Sequence, residues 1–228
     1  MTAVTVLKDL RAELGPARNQ GPRPTCLAFA ASDAHGALRP GWSPLSCEFA
    51  FYHAQRRASR LPDSGAVLPA MLATLRLDGQ PEEMSWPYLP ATPDNQASWV
   101  PPADVGQRFG RAGAAHAPSA EAIIAELDAG RPVILLMMLS PSFYAPGVDA
   151  VIRSLAGEAP DPVIRHAVLA VGHGAVAGER VFLIRNSWGP AWGAAGHGWL
   201  TESFLTPRLF AAALLTENVD VSAHPAAT

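Results

Sequence analysis

Arg18-Asn19-Gln20-Gly21-Pro22-Arg23-Pro24-Thr25-Cys26-Leu27-Ala28-Phe29-Ala30 is a loop punctuated by Gly and Pro that runs directly into an apolar stretch at helical spacing. The first helical residue is about Cys26, and Thr25 is the expected N-cap. A thiol at that point meets unpaired backbone N–H groups and the positive end of the helix dipole. Both favour thiolate, so position alone makes Cys26 more acidic than a free cysteine. An arbitrary lone cysteine is more often a small buried hydrophobe; the loop-to-helix setting is what singles this one out.

Working outward, helical spacing continues over 26–38, 46–58 and 67–77, where Val67, Met71, Leu72 and Leu75 share one face. A Pro-rich middle, 85–106, separates this part from a different second half. There, one helix is expected with Ser119 as N-cap, Glu121 in its first turn and Gly130 just past its end. Runs rich in Val, Ile, Leu and aromatics at 132–139, 166–173, 181–185, 198–201 and 209–215 read as strands. The expected fold class is α+β. A single domain would comprise a helical lobe over about 7–85, a crossover over 86–107, a mainly antiparallel β lobe over 108–216 and a flexible tail over 217–228. Two such lobes leave a cleft, the usual place for a ligand site.

Composition narrows the function. The 228 residues are 49% hydrophobic and 16% charged, which suits a self-sufficient core and excludes a charged disordered chain. Lys+Arg 17 against Asp+Glu 20 gives a net charge of -3, so neither nucleic acid nor an anionic membrane is an expected partner. The longest apolar runs, 133–139 and 209–215, fall short of the roughly 20 residues that span a bilayer as a helix. Residues 1–14 lack the basic start, apolar stretch and cleavage site of a secretory signal. With only two cysteines, Cys26 and Cys47, the chain is expected in the cytoplasm, where an isolated thiol is more often chemical than structural. His35, His53, His116, His173 and His197 show no metal-ligand spacing, so no metal and no cofactor is expected.

A nucleophilic cysteine needs a base and a group to orient it. His166 opens one strand-like run and Asn186 follows another, so the two can share an edge if the strands are neighbours. The Asn oxygen would then accept one ring N–H while the other ring nitrogen faces the thiol, which is triad logic with Cys as nucleophile.

These segments resemble the papain-like cysteine peptidases. The family's N-Q-G-x-x-x-x-C-W-A-F segment is matched by Asn19, Gln20, Gly21, Cys26, Ala28 and Phe29, and its H-A-V-x-x-V-G-Y-G by His166, Ala167, Val168, Val171, Gly172 and Gly174. Its N-S-W-G-x-x-W-G is matched by Asn186, Ser187, Trp188, Gly189, Trp192 and Gly193. His166 lies 140 residues after Cys26, within the family's spacing of roughly 130 to 150. The resemblance covers about residues 7–216. It implies that Cys26 is the nucleophile, His166 the general base and acid, and Asn186 the orienter of His166. Gln20 would donate to the oxyanion together with the Cys26 backbone N–H, and Trp188 would shield the His166–Asn186 bond. The implied activity is hydrolysis of a peptide or protein substrate through a thioester.

The sequence also departs from the family pattern. Pro22 stands where the family usually has a bridged cysteine, so the prolines are expected to stiffen this loop instead. Leu27 replaces an aromatic, and the substrate-binding glycine pair is Gly65-Ala66. Arg165 precedes the base, where a cation could lower the imidazolium pKa or select an acidic substrate group. Cys47 reads as a buried free thiol, and Phe143-Tyr144, in the Pro- and Gly-punctuated stretch 141–147 that could overhang the cleft, as packing, with substrate contact as the alternative. The chain resembles a compact bacterial-type member without a propeptide, which leaves room for a separate inhibitor or activator protein. Two other outcomes stay open: a dedicated isopeptidase or transpeptidase with the same triad, and a non-catalytic peptide-binding module.

Overall fold

The computed structural model describes residues 3–94 and 97–221. In chain order the elements are β1 (Thr5–Asp9), α1 (Cys26–Ala37), α2 (Cys47–Arg57), α3 (Leu68–Leu77), β2 (Gly110–His116), α4 (Ala120–Asp128), β3 (Val133–Met138), α5 (Pro141–Tyr144), β4 (Val151–Ile152), β5 (Arg165–Val176), β6 (Glu179–Arg185), β7 (His197–Thr201), α6 (Glu202–Leu205) and β8 (Leu209–Val219). The strands form one sheet in the order β2-β8-β3-β5-β6-β7-β4, with β1 added against β5. Every pairing is antiparallel except the short β4–β7 contact.

α1 is the centre of the molecule. Every residue from Leu27 to Gly36 is buried, and the helix packs against α2, α3, β3 and β5. A helix with no solvated face is mostly apolar; its alanines let the neighbours approach closely, and its buried polar residues Ser32, Asp33 and His35 each have a partner, in Gln80, Arg185 and Gln80. α2 and α4 begin as their sequences require, with Ser46 accepting from the Phe49 N–H and Ser119 from the Ala122 N–H. Thr25 occupies the N-cap position of α1 without capping it. Its hydroxyl is instead 2.8 Å from that of Tyr88.

β5 is the sheet's spine, buried from His166 to Gly174 and paired on both flanks, to β3 and β6. Its two glycines answer to β1, which crosses it: a Cβ on Gly172 would stand 2.4 Å from the Lys8 carbonyl oxygen, and one on Gly174 2.3 Å from that of Thr5. β1 therefore joins the β lobe, which corrects the assignment of 7–85 to the helical one. Its side chains are largely exposed, so only backbone pairing identifies it. β2 was also not foreseen, because Gly110–His116 is mostly Gly and Ala and carries no strand propensity; pairing with β8 and packing on α3 hold it. β8 extends to Val219, three residues into the expected tail, while 222–228 lie outside the described residues.

Candidate active site

The loop before α1 and the turn after β6 are joined by backbone pairing. The Gln20 N–H donates to the Ser187 carbonyl at 2.8 Å, the Gly189 N–H donates to the Arg18 carbonyl at 3.1 Å, and Asn19 bridges Trp188. This brings the segment leading to Cys26 against the segment carrying Asn186. Because β5 and β6 are antiparallel neighbours, His166 and Asn186 emerge at the same edge.

The Nε2 of His166 lies 2.8 Å from Asn186 Oδ1. The same oxygen accepts the Ser187 backbone N–H at 2.8 Å. That second bond fixes which end of the amide is oxygen, so Nε2 has to carry the ring proton and Nδ1 is left with the basic lone pair. His166 and Asn186 are 6% and 1% exposed. Trp188 covers the pair, with its ring 4.9 Å from that of His166. Tyr144 stacks on the other face of this aromatic cluster at 5.4 Å from Trp188, and Phe143 meets the His166 ring edge-on at 5.8 Å. α5 thus builds the lid over the imidazole. Its Pro-Ser-Phe-Tyr sequence gave packing as the reading, without indicating that His166 is what it packs on.

Cys26 and His166 line one cleft of about 720 Å³. Leu27, Gly65, Ala66 and Arg165 line it too, and space is open where a Gly65 side chain would stand. Trp188 lies to the other side, over the His166–Asn186 pair. Gln20 is buried and fixed at both ends of its amide, accepting from Ser187 Oγ at 2.6 Å and donating to the Arg23 carbonyl at 2.8 Å. One of its N–H groups remains for another acceptor.

The electrostatics differ from expectation. Burial pushes the Cys26 thiol up, while the backbone N–H groups of Ala167, Leu27 and Cys26 pull it down. The helix-end amides act in the expected direction, but desolvation outweighs them. Burial likewise lowers His166 to about 4, opposed by its bond to Asn186. Taken singly, both groups favour their neutral forms in the closed cleft. Arg165 has no part in the depression of His166; its guanidinium lies 5.2 Å from the Phe210 ring centroid. Cys47 is fully buried, and burial pushes it up to about 12.

Two buried ion pairs were not read from the sequence. Arg23 and Glu48, both 0% exposed, meet at 2.6 Å. The Glu48 carboxylate also accepts from Trp99 Nε1 at 2.7 Å and the Leu89 N–H at 3.0 Å. This pair, more than the neighbouring prolines, clamps the loop that leads to Cys26. Asp33 on α1 is 2.6 Å from Arg185, the residue before Asn186, and 2.8 Å from Arg18. It ties the nucleophile helix to the strand that presents Asn186. The available signal was a carboxylate among the apolar residues of each helix, Asp33 after Ala30-Ala31 and Glu48 before Phe49-Ala50-Phe51.

The family model for papain family cysteine proteases matches residues 63–204, more than half of the chain. The chain belongs to the papain family of cysteine proteases. A "Cysteine protease" of Blomia tropicalis is 28% identical over 203 residues, covering 83% of this chain and 58% of that protein. The chain therefore spans under two thirds of that relative's length. Pro-cathepsin H of Bos taurus is 34% identical over 79 residues, 34% of this chain and 23% of its own. Among solved structures, xylellain, a cysteine protease from Xylella fastidiosa, superposes with a TM-score of 0.73 at 21% identity, covering 91% of this chain and 84% of xylellain. The Carica candamarcensis cysteine protease CMS1MS2, in complex with E-64, gives 0.71 at 22% identity, covering 92% of this chain and 98% of that one. These likenesses carry the papain-like α+β fold across nearly the whole chain.

Proposed function

We propose that the protein is a cysteine peptidase that hydrolyses peptide bonds through Cys26, His166 and Asn186. The observation that carries this is the Asn186 oxygen shared between Ser187 N–H and His166 Nε2, which assigns the tautomer and leaves Nδ1 as base in a cleft shared with the only thiol lining it.

With both groups neutral at rest, the thiol proton passes to Nδ1 as Sγ attacks the carbonyl carbon. The C–S bond forms as the carbonyl π pair moves onto oxygen. The resulting imidazolium is held by Asn186 Oδ1, and Trp188 with Phe143 keeps water from that bond. The oxyanion takes the Cys26 backbone N–H and the remaining Gln20 N–H; one such donor is worth about 10²–10³ in rate in comparable sites. His166 returns its proton to the leaving amine as the C–N bond breaks. It then takes a proton from water as the water oxygen attacks the thioester carbon; the C–S bond breaks with its electron pair on Sγ to give the acid, and His166 returns the proton to Sγ. No metal or cofactor enters.

The same reading places the enzyme in the cytoplasm. Both cysteines are free, and the loop that a bridge would hold is held by Arg23 and Glu48. Among the described residues, no helix is long and apolar enough to cross a membrane.

The test is residue-resolved iodoacetamide labelling alongside peptide hydrolysis. Cys26 is expected to react at least about 100-fold faster than Cys47 at pH 7, and His166→Ala to slow Cys26 alone. Cys26→Ala should abolish hydrolysis with the fold intact. Equal labelling of the two thiols, or hydrolysis that survives Cys26→Ala, removes Cys26 from this role.

A further inference from the structure

The cleft beside Cys26 carries a charge pattern that acyl transfer does not use. Its walls are apolar, with Leu136 half-buried inside and Val67, Val163 and Phe210 at the rim, 38%, 83% and 41% exposed. Two guanidinium groups, Arg60 and Arg165, are set into these walls, and no carboxylate lines them. Both arginines are exposed, and among the described residues neither has an acidic partner. Eight of the other fourteen arginines do, at positions 11, 18, 23, 57, 131, 153, 180 and 185; what sets Arg60 and Arg165 apart is that both line the cleft. The acids next along the chain are otherwise engaged. Asp161 accepts the Val163 and Ile164 N–H groups at 2.7 and 3.2 Å, and Asp63 accepts from Ser64 Oγ at 3.4 Å. Arg165 is held in place by the face of Phe210, 5.2 Å away, one residue from His166.

An apolar groove with two unneutralised cations, in a chain whose net charge is -3, is complementary to an anionic side chain among apolar ones. We propose that this cleft selects peptides bearing an acidic side chain beside apolar residues near the bond that Cys26 attacks, with the carboxylate docking on Arg60 and Arg165. The proposal rests on the peptidase reading of the same cleft and adds its substrate class. A carboxylate left unpaired in such a groove would lose affinity, and a lysine would meet like charge, so discrimination comes from repulsion as well as attraction.

The experiment uses internally quenched peptides with both termini blocked, identical except for Glu, Gln or Lys at one position, scanned on each side of the scissile bond. kcat/KM is measured at low and high salt for the parent protein, Arg60→Gln, Arg165→Gln and Arg165→Glu. The parent should prefer Glu over Gln by about tenfold at one position, with a weaker preference at high salt. Each Gln variant should reduce that ratio, and Arg165→Glu should place Lys above Glu. Cleavage of the Glu and Gln peptides within twofold at every position, or an acid preference that all three variants retain, overturns the proposal and leaves the peptidase reading standing. An acid preference found only with a free C-terminus also overturns it, since the anion is then the chain end. No hydrolysis and no acyl adduct on Cys26 overturns both.

Discussion

Replacing Glu48 with Gln removes one charge from the most enclosed ion pair in the molecule while preserving size and shape. In the parent, the Glu48 carboxylate meets Arg23 at 2.6 and 3.0 Å and takes two further N–H donors, from Leu89 and Trp99, with both charged side chains 0% exposed. The Gln amide keeps one acceptor oxygen, enough for Leu89 or for Trp99 but not both, since they donate to different carboxylate oxygens, and it cannot neutralise a guanidinium that has no route to water. Removing one partner of such a pair costs about 3–5 kcal/mol, or roughly 10 °C of Tm in a chain this long. Urea and thermal unfolding of the parent, Glu48→Gln, Arg23→Met and the double variant give both the cost and the coupling. The double variant should recover part of the loss, because no charge is then stranded. Single variants within about 1 kcal/mol of the parent would show that water reaches the pair and that the loop before Cys26 is held by something else.

Other consequences follow from the same structure. Asn186→Ala should lower kcat by roughly 10- to 100-fold, less than Cys26→Ala, because Trp188 and Phe143 still confine the ring; steady-state rates at fixed pH decide this. Gly172→Ala should destabilise by about 1–3 kcal/mol, since its Cβ would stand 2.4 Å from the Lys8 carbonyl oxygen, whereas Gly65→Ala should leave urea stability unchanged and alter KM, because its methyl enters open cleft space. His35 and His166 are both lowered by burial from 6.5 to about 4 in the folded chain. The unfolded chain therefore binds more protons between those values, and stability should rise with pH from about 4 to 6.5, by about 3 kcal/mol at most for each His. Urea melts over pH 5–7 check the sign, and a flat profile would mean that neither ring is buried neutral.

The parts of the site legible in the sequence were those whose chemistry depends on residue type at a local structural boundary: a thiol where a Pro-punctuated loop becomes a helix, and a His and an Asn at the ends of neighbouring strands. α1 to α4 were legible because their apolar spacing agrees with where they pack. β1 and β2 were not, since Thr5–Asp9 is exposed on its flanks and Gly110–His116 has almost no side chains; each exists through pairing to a distant strand. The protonation balance at Cys26 was misjudged for a related reason. Helix-end amides can be inferred from local sequence, but the burial that outweighs them is created by the tertiary fold around Cys26, which no local pattern reveals. Asp33 and Glu48 were visible as residues, yet their partners Arg185 and Arg23 lie 152 and 25 positions away, and only the fold matches them.

The covalent step is the most direct point of contact with experiment. Rapid mixing with a slowly deacylating ester, acid quenching and peptide mapping should show one acyl group on Cys26, formed in a burst equal to the enzyme concentration. The burst should be absent in Cys26→Ala and markedly slower in His166→Ala. Turnover without an adduct on Cys26, or an adduct on Cys47 instead, would contradict acyl transfer by the Cys26–His166–Asn186 triad.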